Sequence, residues 1–373
     1  MEKKRISWIS VTYFVDTDLP SIKHLQLYYD IRLILVIPWY EKNDYRKYIS
    51  EGLGSSSKVD VHFVYQKSRW TSYSHNFMNE LLKLANEYDP AMYYISYQGS
   101  LGGASFYRKH LDLSKVIVPC HNVSTPKGAR MAFLAKIQTK KWIDTFCNIQ
   151  VFSDSQKQKL ASITSGKNIL ATPFFLKDYG NPSTSIDKHS SGSIIFLSFG
   201  NIVEYKRIDL LIKAANKVYD DGYRNFKIKI AGHCKNWDSY QTLITHPEVF
   251  ELIIKRIPNE DIPNLFASCH YFVLPYQDIA QSGSITVAYC YGLPAITSDI
   301  PQFSEFVKDG VTGYQFKTED YLSLAKVMER ILDEPIEQYH KMCESLQRFI
   351  HMKFSDEAIV GDTKEYFDKI IGE

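Results

Sequence analysis

The chain has 373 residues, 45% of them hydrophobic and 23% charged, with a formal net charge of +2 at pH 7. That length exceeds one ordinary hydrophobic core and suits two domains, and the composition is that of a globular protein. The near-neutral balance supplies no bulk field for nucleic acid, and the longest apolar run, Ile31 to Trp39 with Arg32 inside it, is far too short to span a bilayer.

The opening residues Met1-Glu2-Lys3-Lys4-Arg5 pass directly into a strand-like run. The apolar stretch there is too short and too mixed with polar residues for a signal peptide. A cytoplasmic location is expected, in solution or peripheral on the inner face of a membrane. Six cysteines (Cys120, Cys147, Cys234, Cys269, Cys290, Cys343) are scattered without a CxxC pair. They read as free thiols of a reducing compartment, and no metal site is implied.

Strands are predicted over 6–13, 32–37, 59–65, 91–97, 116–120 and 149–152, with helices over 75–88 and 128–144. Ser153 and Asp154 cap a further helix that runs to about residue 163. Apolar strands spaced by helices predict a parallel sheet covered on both faces. Residues 179–192 are rich in Ser, Gly, Pro and Asn and read as an exposed linker. The alternation then restarts, with strands over 194–199, 226–231, 250–254, 271–274 and 295–297. Helices are predicted over 208–220, 262–269 and 284–291, and a capped terminal helix from Ser355 to 371. The expected fold class is α/β, with two Rossmann-like domains, 1–178 and 193–352, facing across a cleft that is the default place for a ligand. Residues 353–373 form the last helix.

Three stretches carry candidate chemistry. The run 273–298, VLPYQDIAQSGSITVAYCYGLPAITS, is a strand–loop–helix–strand unit. Small residues Ser282-Gly283-Ser284 stand where the helix begins, so free N–H groups at its positive end would face an anion. The same pattern also serves a plain structural turn. At Gly200-Asn201 a strand-end glycine is followed by Lys206-Arg207 just before a helix. Lys206 would act as a point charge on a phosphate and Arg207 as a fork, or the pair is a solvated helix cap. His121 ends a strand and can exchange hydrogen bonds in a ligand cleft, or is structural. Softer signals are Asn122-Val123-Ser124, which matches a glycosylation acceptor without a secretory context, and the basic, apolar-faced helix over 127–142. That helix could lie on anionic lipid or simply pack on its domain.

In combination these motifs resemble the retaining nucleotide-sugar glycosyltransferases of the GT-B fold, sequence family four (group 1 glycosyltransferases). The likeness runs through FGNIVEYKRIDLLIKA (199–214), IAGH (230–233), IPNEDIPNLFASCHYFVLPY (257–276), QSGSITVAYCYGLPAITSDIP (281–301) and EFVKDGVTGYQF (305–316). The first half adds VPCHN (118–122) and VFSDSQKQKL (151–160). The resemblance implies that Lys206 neutralises the departing donor diphosphate and that the amides of Ser282, Gly283 and Ser284, beside Gln281, hold it. It places His121 near the donor sugar, and Arg256-Ile257 against the nucleotide base. The last helix would cross back to the first domain.

Three positions depart from the family pattern. The arginine that usually follows the first glycine is Asn201, leaving Arg207 as a substitute. The usual pair of glutamates aligns with Ile279 and Val287, and Asp278 is the nearest acid. The glycine pair after the first strand is replaced by Phe14-Val15-Asp16-Thr17-Asp18. What the resemblance implies is a transferase moving a sugar from a nucleotide diphosphate, UDP being commonest, to a saccharide or lipid-linked acceptor. Retention by front-side displacement and no cofactor or metal are expected, in surface polysaccharide or glycoconjugate synthesis, with possible inner-membrane contact. The alternatives are a non-catalytic subunit binding a nucleotide sugar or a partner glycosyltransferase, and less readily an epimerase.

Overall fold

Asp30–Ile37 reads DIRLILVI and is buried along almost its whole length, the signature of a strand covered on both faces. A computed structural model places it inside a seven-stranded parallel sheet. The structure describes every residue except 1, 69, 72, 73, 124–131, 184–191, 280, 281 and 373. The strands of the first sheet are β1 (Arg5–Val11), β2 (Asp30–Ile37), β3 (Asp60–Tyr65), β4 (Met92–Ile95), β5 (Val116–Pro119), β6 (Asn148–Val151) and β7 (Asn168–Ala171), in the order β3-β2-β1-β4-β5-β6-β7. A second, six-stranded sheet holds β8 (Ile194–Phe199), β9 (Phe226–Ala231), β10 (Phe250–Ile253), β11 (Tyr271–Leu274), β12 (Ala295–Ser298) and β13 (Gly313–Phe316), in the order β10-β9-β8-β11-β12-β13. All pairings are parallel.

Each sheet is a two-sided core because side chains alternate with period two. In β11, Tyr271 and Val273 join the apolar cluster on one face, while Phe272 and Leu274 join the cluster on the other. In β2, Ile34 and Val36 divide in the same way from Leu33 and Leu35. Each sheet also reverses its winding once, at β1/β4 and at β8/β11. Beyond the strand ends at such a reversal the two loops diverge, which opens a crevice. In the second sheet the crevice is flanked by the loops after β8 and β11.

The chain divides into two compact units. One contains the residues up to Phe175 together with Ser355 onward; the other includes Leu176–Phe354. Residues 176–183, part of which read as exposed linker, group with the second unit: the Tyr179 amide donates to the Tyr291 hydroxyl (3.0 Å) and the Ser183 amide to Asn264 Oδ1 (2.9 Å). The terminal helix Asp356–Ile371 docks within the first unit, with Phe367 fully buried beside Trp8 and Tyr94 and the Tyr366 hydroxyl donating to the Asn168 carbonyl at 2.7 Å.

Two edge strands, β7 and β13, were not predicted, nor were the helices Tyr45–Leu53, Gly103–His110, Tyr321–Asp333 and Ile336–Phe354 or the helix Val15–Leu25. The strands, NILA and GYQF, open on Asn168 and Gly313, residues that read as turns. Pro20 lies inside the helix Val15–Leu25 and argues against one, but burial of Val15, Leu19, Ile22 and Leu25 on one face outweighs the lost backbone bond. Of the proposed basic helix, 127–131 lie outside the described residues. Its described part, Ala132–Thr145, exposes Phe133 and Lys136 and buries Trp142 and Ile143. Among the described residues no helix is long and apolar enough to cross a membrane.

Candidate anion site of the second unit

β8 ends in Phe199-Gly200, and the backbone there turns left-handed at Gly200 (φ +105°). A Cβ on Gly200 would stand 3.1 Å from Lys206 Nζ and 3.8 Å from Ser284 Oγ. Gly232, at the end of β9, is tighter still: a Cβ there would meet the Gly200 carbonyl oxygen at 2.0 Å. Backbone contact between the two strand ends requires glycine at Gly232, and the positive φ favours it at Gly200. That contact is extended by a hydrogen bond from the Ile202 amide to the His233 carbonyl (2.8 Å), which holds the loop leading to Lys206 against the loop after β9.

Lys206 and Arg207 are adjacent but diverge. Arg207 has φ +50°, a left-handed conformation uncommon for a residue with a side chain. The turn sends Lys206 inward, to 8% exposure, with Nζ 5.4 Å from the centre of the Tyr276 ring. No carboxylate partners it among the described residues, and burial pulls its pKa below the usual 10.5. A buried ammonium without a counter-charge is costly, so its retention points to an anionic ligand. Arg207 instead forks onto Asp209 (3.0 Å and 3.0 Å) and reaches Glu319 (2.9 Å). Its guanidinium is committed to those carboxylates, and the expectation that it replaces the missing arginine is not what the geometry shows.

The helix Gly283–Cys290 begins opposite Lys206. Its N-cap residue, Ser282, makes no side-chain cap, unlike most serines in that position. Ser282 is 5% exposed and its Oγ has no hydrogen-bond partner among the described residues. An unpartnered hydroxyl, the uncapped first-turn amides and the Lys206 ammonium therefore converge at one strand-end crevice. Lys177, which sequence reasoning missed, joins them: its Nζ lies 3.9 Å from where a Cβ on Gly283 would stand. Nothing in its local sequence, Phe-Leu-Lys-Asp-Tyr, signals this.

Other predicted positions contribute differently. Asn201 and Arg256 are exposed, and Ile257 packs against the apolar cluster under this sheet. Asp278 is half-buried on the loop after β11 and makes no hydrogen bond or ion pair among the described residues. Gln281 lies outside the described residues. Ile279 and Val287 are both buried in the apolar cluster, so no carboxylate approaches from those positions. Gln277, not singled out from sequence, ties two loops together: its amide donates to the Tyr205 carbonyl (2.9 Å) and its Nε2 to Glu319 (2.8 Å).

His121 belongs to the first unit, after β5. Its ring stacks between Phe14 (4.2 Å, 4° between planes) and Phe152 (4.6 Å, 21°). Nε2 is inaccessible and unpartnered among the described residues. Burial lowers its pKa to about 3, so the imidazole is neutral at neutral pH and can exchange a hydrogen bond but not carry charge. Phe14 is the N-cap of the helix Val15–Leu25; the residues in place of the usual glycine pair are thus the first turn of a helix. In that turn Asp18 is buried and accepts hydrogen bonds from the hydroxyls of Ser10 (2.5 Å) and Ser96 (2.7 Å).

Comparison with known proteins bears on the domain and the fold. Residues 184–348 match the family described as Glycosyl transferases group 1. Among curated proteins no sequence relative matches. The fold is similar to that of Anabaena HepE, solved in complex with UDP and glucose, at 11% identity over 98% of this chain and 100% of that one (TM-score 0.74). It is also similar to a glycosyltransferase from Rickettsia africae (14% identity, 100% and 99% covered, TM-score 0.74). A third likeness is to the sucrose-phosphate synthase of Thermosynechococcus elongatus (13% identity, 99% and 100% covered, TM-score 0.73). Residues 184–348 thus carry a glycosyltransferase group 1 domain, in a chain that has the α/β GT-B fold over essentially its whole length.

Proposed function

We propose that this protein is a retaining glycosyltransferase of the cytoplasm that moves a sugar from a UDP-sugar to a saccharide or lipid-linked acceptor, in surface polysaccharide or glycoconjugate synthesis. The observation that carries the reading is the buried Lys206, unpaired among the described residues, facing the uncapped start of the helix Gly283–Cys290. UDP is chosen because the similarly folded HepE was solved with UDP and glucose.

In the reaction the acceptor hydroxyl oxygen bonds to the anomeric carbon as the bond from that carbon to the diphosphate breaks. The hydroxyl proton passes to the departing phosphate oxygen on the same face, which retains configuration. Charge grows on the diphosphate as it leaves, and a preorganised ammonium with amide donors lowers the barrier directly. Lys206 and those amides supply counter-charge without a metal ion, so chelation should leave turnover unchanged. Neutral His121 would serve as a hydrogen-bonding group near the sugar. Asp278, free of partners among the described residues, is the available carboxylate of the loop.

Burial of Ile279 and Val287 in the core favours one second reading, a non-catalytic subunit that binds a nucleotide sugar. Nucleotide release from UDP-, GDP- and dTDP-sugars with saccharide and lipid-linked acceptors separates the two. We expect UDP release and a product whose anomeric coupling in NMR matches the donor. An inverted product would rule out retention, and donor binding without release across all acceptors would establish the second reading.

A further inference from the structure

The segment following Phe175 is anchored along the helix Gly283–Cys290. Leu176 and Tyr179 pack on the same apolar cluster as that helix. The Tyr291 hydroxyl accepts from the Tyr179 amide (3.0 Å) and donates to the Gly180 carbonyl (3.1 Å). From this anchorage at the helix C-terminus, the side chain of Lys177 reaches back to the N-terminus, where Cε and Nζ both lie 3.9 Å from the position of a Cβ on Gly283. The same end of the helix holds the buried Ser282 hydroxyl that has no partner among the described residues.

Charge sharpens the point. A diphosphate carries more than one negative charge, and Lys206 supplies one positive charge from the β8 side. Arg207 is held by Asp209 and Glu319, and Asn201 is neutral. We propose that Lys177 is the second cation of the donor-diphosphate site, delivered by the segment that joins the two units rather than by the loop after β8. The proposal rests on the donor-binding reading above and adds to it a residue and a source of charge. Lys177 Nζ and the first turn of the helix at Gly283 are thus neighbours, and one phosphate group at that helix start would be shared between them.

Calorimetric titration of the full chain with UDP and with UMP tests this on wild type, Lys177→Ala, Lys177→Arg and Lys206→Ala. Loss of a charge-assisted contact to phosphate should weaken UDP about tenfold in Lys177→Ala and flatten the salt dependence of its affinity. UMP should be weakened much less, and Lys177→Arg should recover most of the loss. Equal weakening of UDP and UMP would overturn the proposal, since it would show that Lys177 only holds the segment in place. UDP affinity unchanged in Lys177→Ala but lost in Lys206→Ala would overturn it while leaving the donor site standing. Absence of UDP binding by the wild type would overturn both.

Discussion

Lys206 and Asp18 are buried and His121 is half-buried between aromatic rings, and each of these ionisable residues is handled differently. Lys206 has no counter-ion among the described residues, and its lowered pKa means that its charge, and with it diphosphate binding, weakens as pH rises toward a value below 10.5. His121 is sandwiched between rings and kept neutral. Asp18 is solvated by two serine hydroxyls, yet burial still raises its pKa from 3.8 to about 6. A folded pKa above the unfolded one means that the native state binds the proton more tightly. The stability this gives is present below 3.8 and lost as pH rises toward 6. Asp18→Asn keeps an acceptor for both serines but carries no charge. Its stability relative to wild type should therefore grow by on the order of 2–3 kcal/mol between pH 4 and pH 7. Urea unfolding at both pH values measures this, and a difference that stays constant with pH would show that burial does not raise the pKa of Asp18.

At the scale of elements, the helix Gly283–Cys290 combines two features that rarely coincide. Its N-terminus is left uncapped, and its body is apolar on all sides, with Ile285, Thr286, Val287, Ala288 and Tyr289 buried. The resemblance expects a glutamate at Val287, where the structure shows core. Val287→Glu should therefore destabilise rather than restore a ribose contact, costing more than about 3 kcal/mol, the usual price of an unpaired buried charge. The urea midpoint reports it. A Val287→Glu protein of wild-type stability that binds UDP more tightly would show that this position faces the ligand after all. The helix itself was legible in the sequence to within one residue at each end, because Pro275 and Gly292 punctuate it. Helix Val15–Leu25 was not, because its proline contradicted a pattern that only tertiary burial makes favourable. The strands β7 and β13 open on Asn168 and Gly313, which read as turn residues rather than strand.

Over the whole molecule, the two reversals of strand order explain why the informative motifs fall where they do. The loops after β8 and β11 border the crevice of the second sheet, and the stretches FGNIVEYKR and QSGS occupy those loops. The sequence could therefore point to Lys206 and Ser282–Ser284 as partners, since strand-end loops of one sheet converge. It could not say which of two adjacent cations turns inward, because that depends on the left-handed backbone at Arg207 and on Asp209 and Glu319 lying within reach. Nor could it find Lys177, whose nearness to Gly283 follows from the packing of Leu176 and Tyr179 and from no local signal. The terminal helix, in contrast, was readable from its Ser355 cap, and its docking in the first unit leaves that unit built from two separate pieces of chain. The most direct measurement of the central claim is UDP release from a UDP-sugar by wild type and by Lys206→Ala at saturating donor and acceptor. A fall in kcat of about 100-fold or more, with the thermal unfolding midpoint not lowered, is the expected result; turnover that survives Lys206→Ala unchanged would contradict the role assigned to the buried lysine.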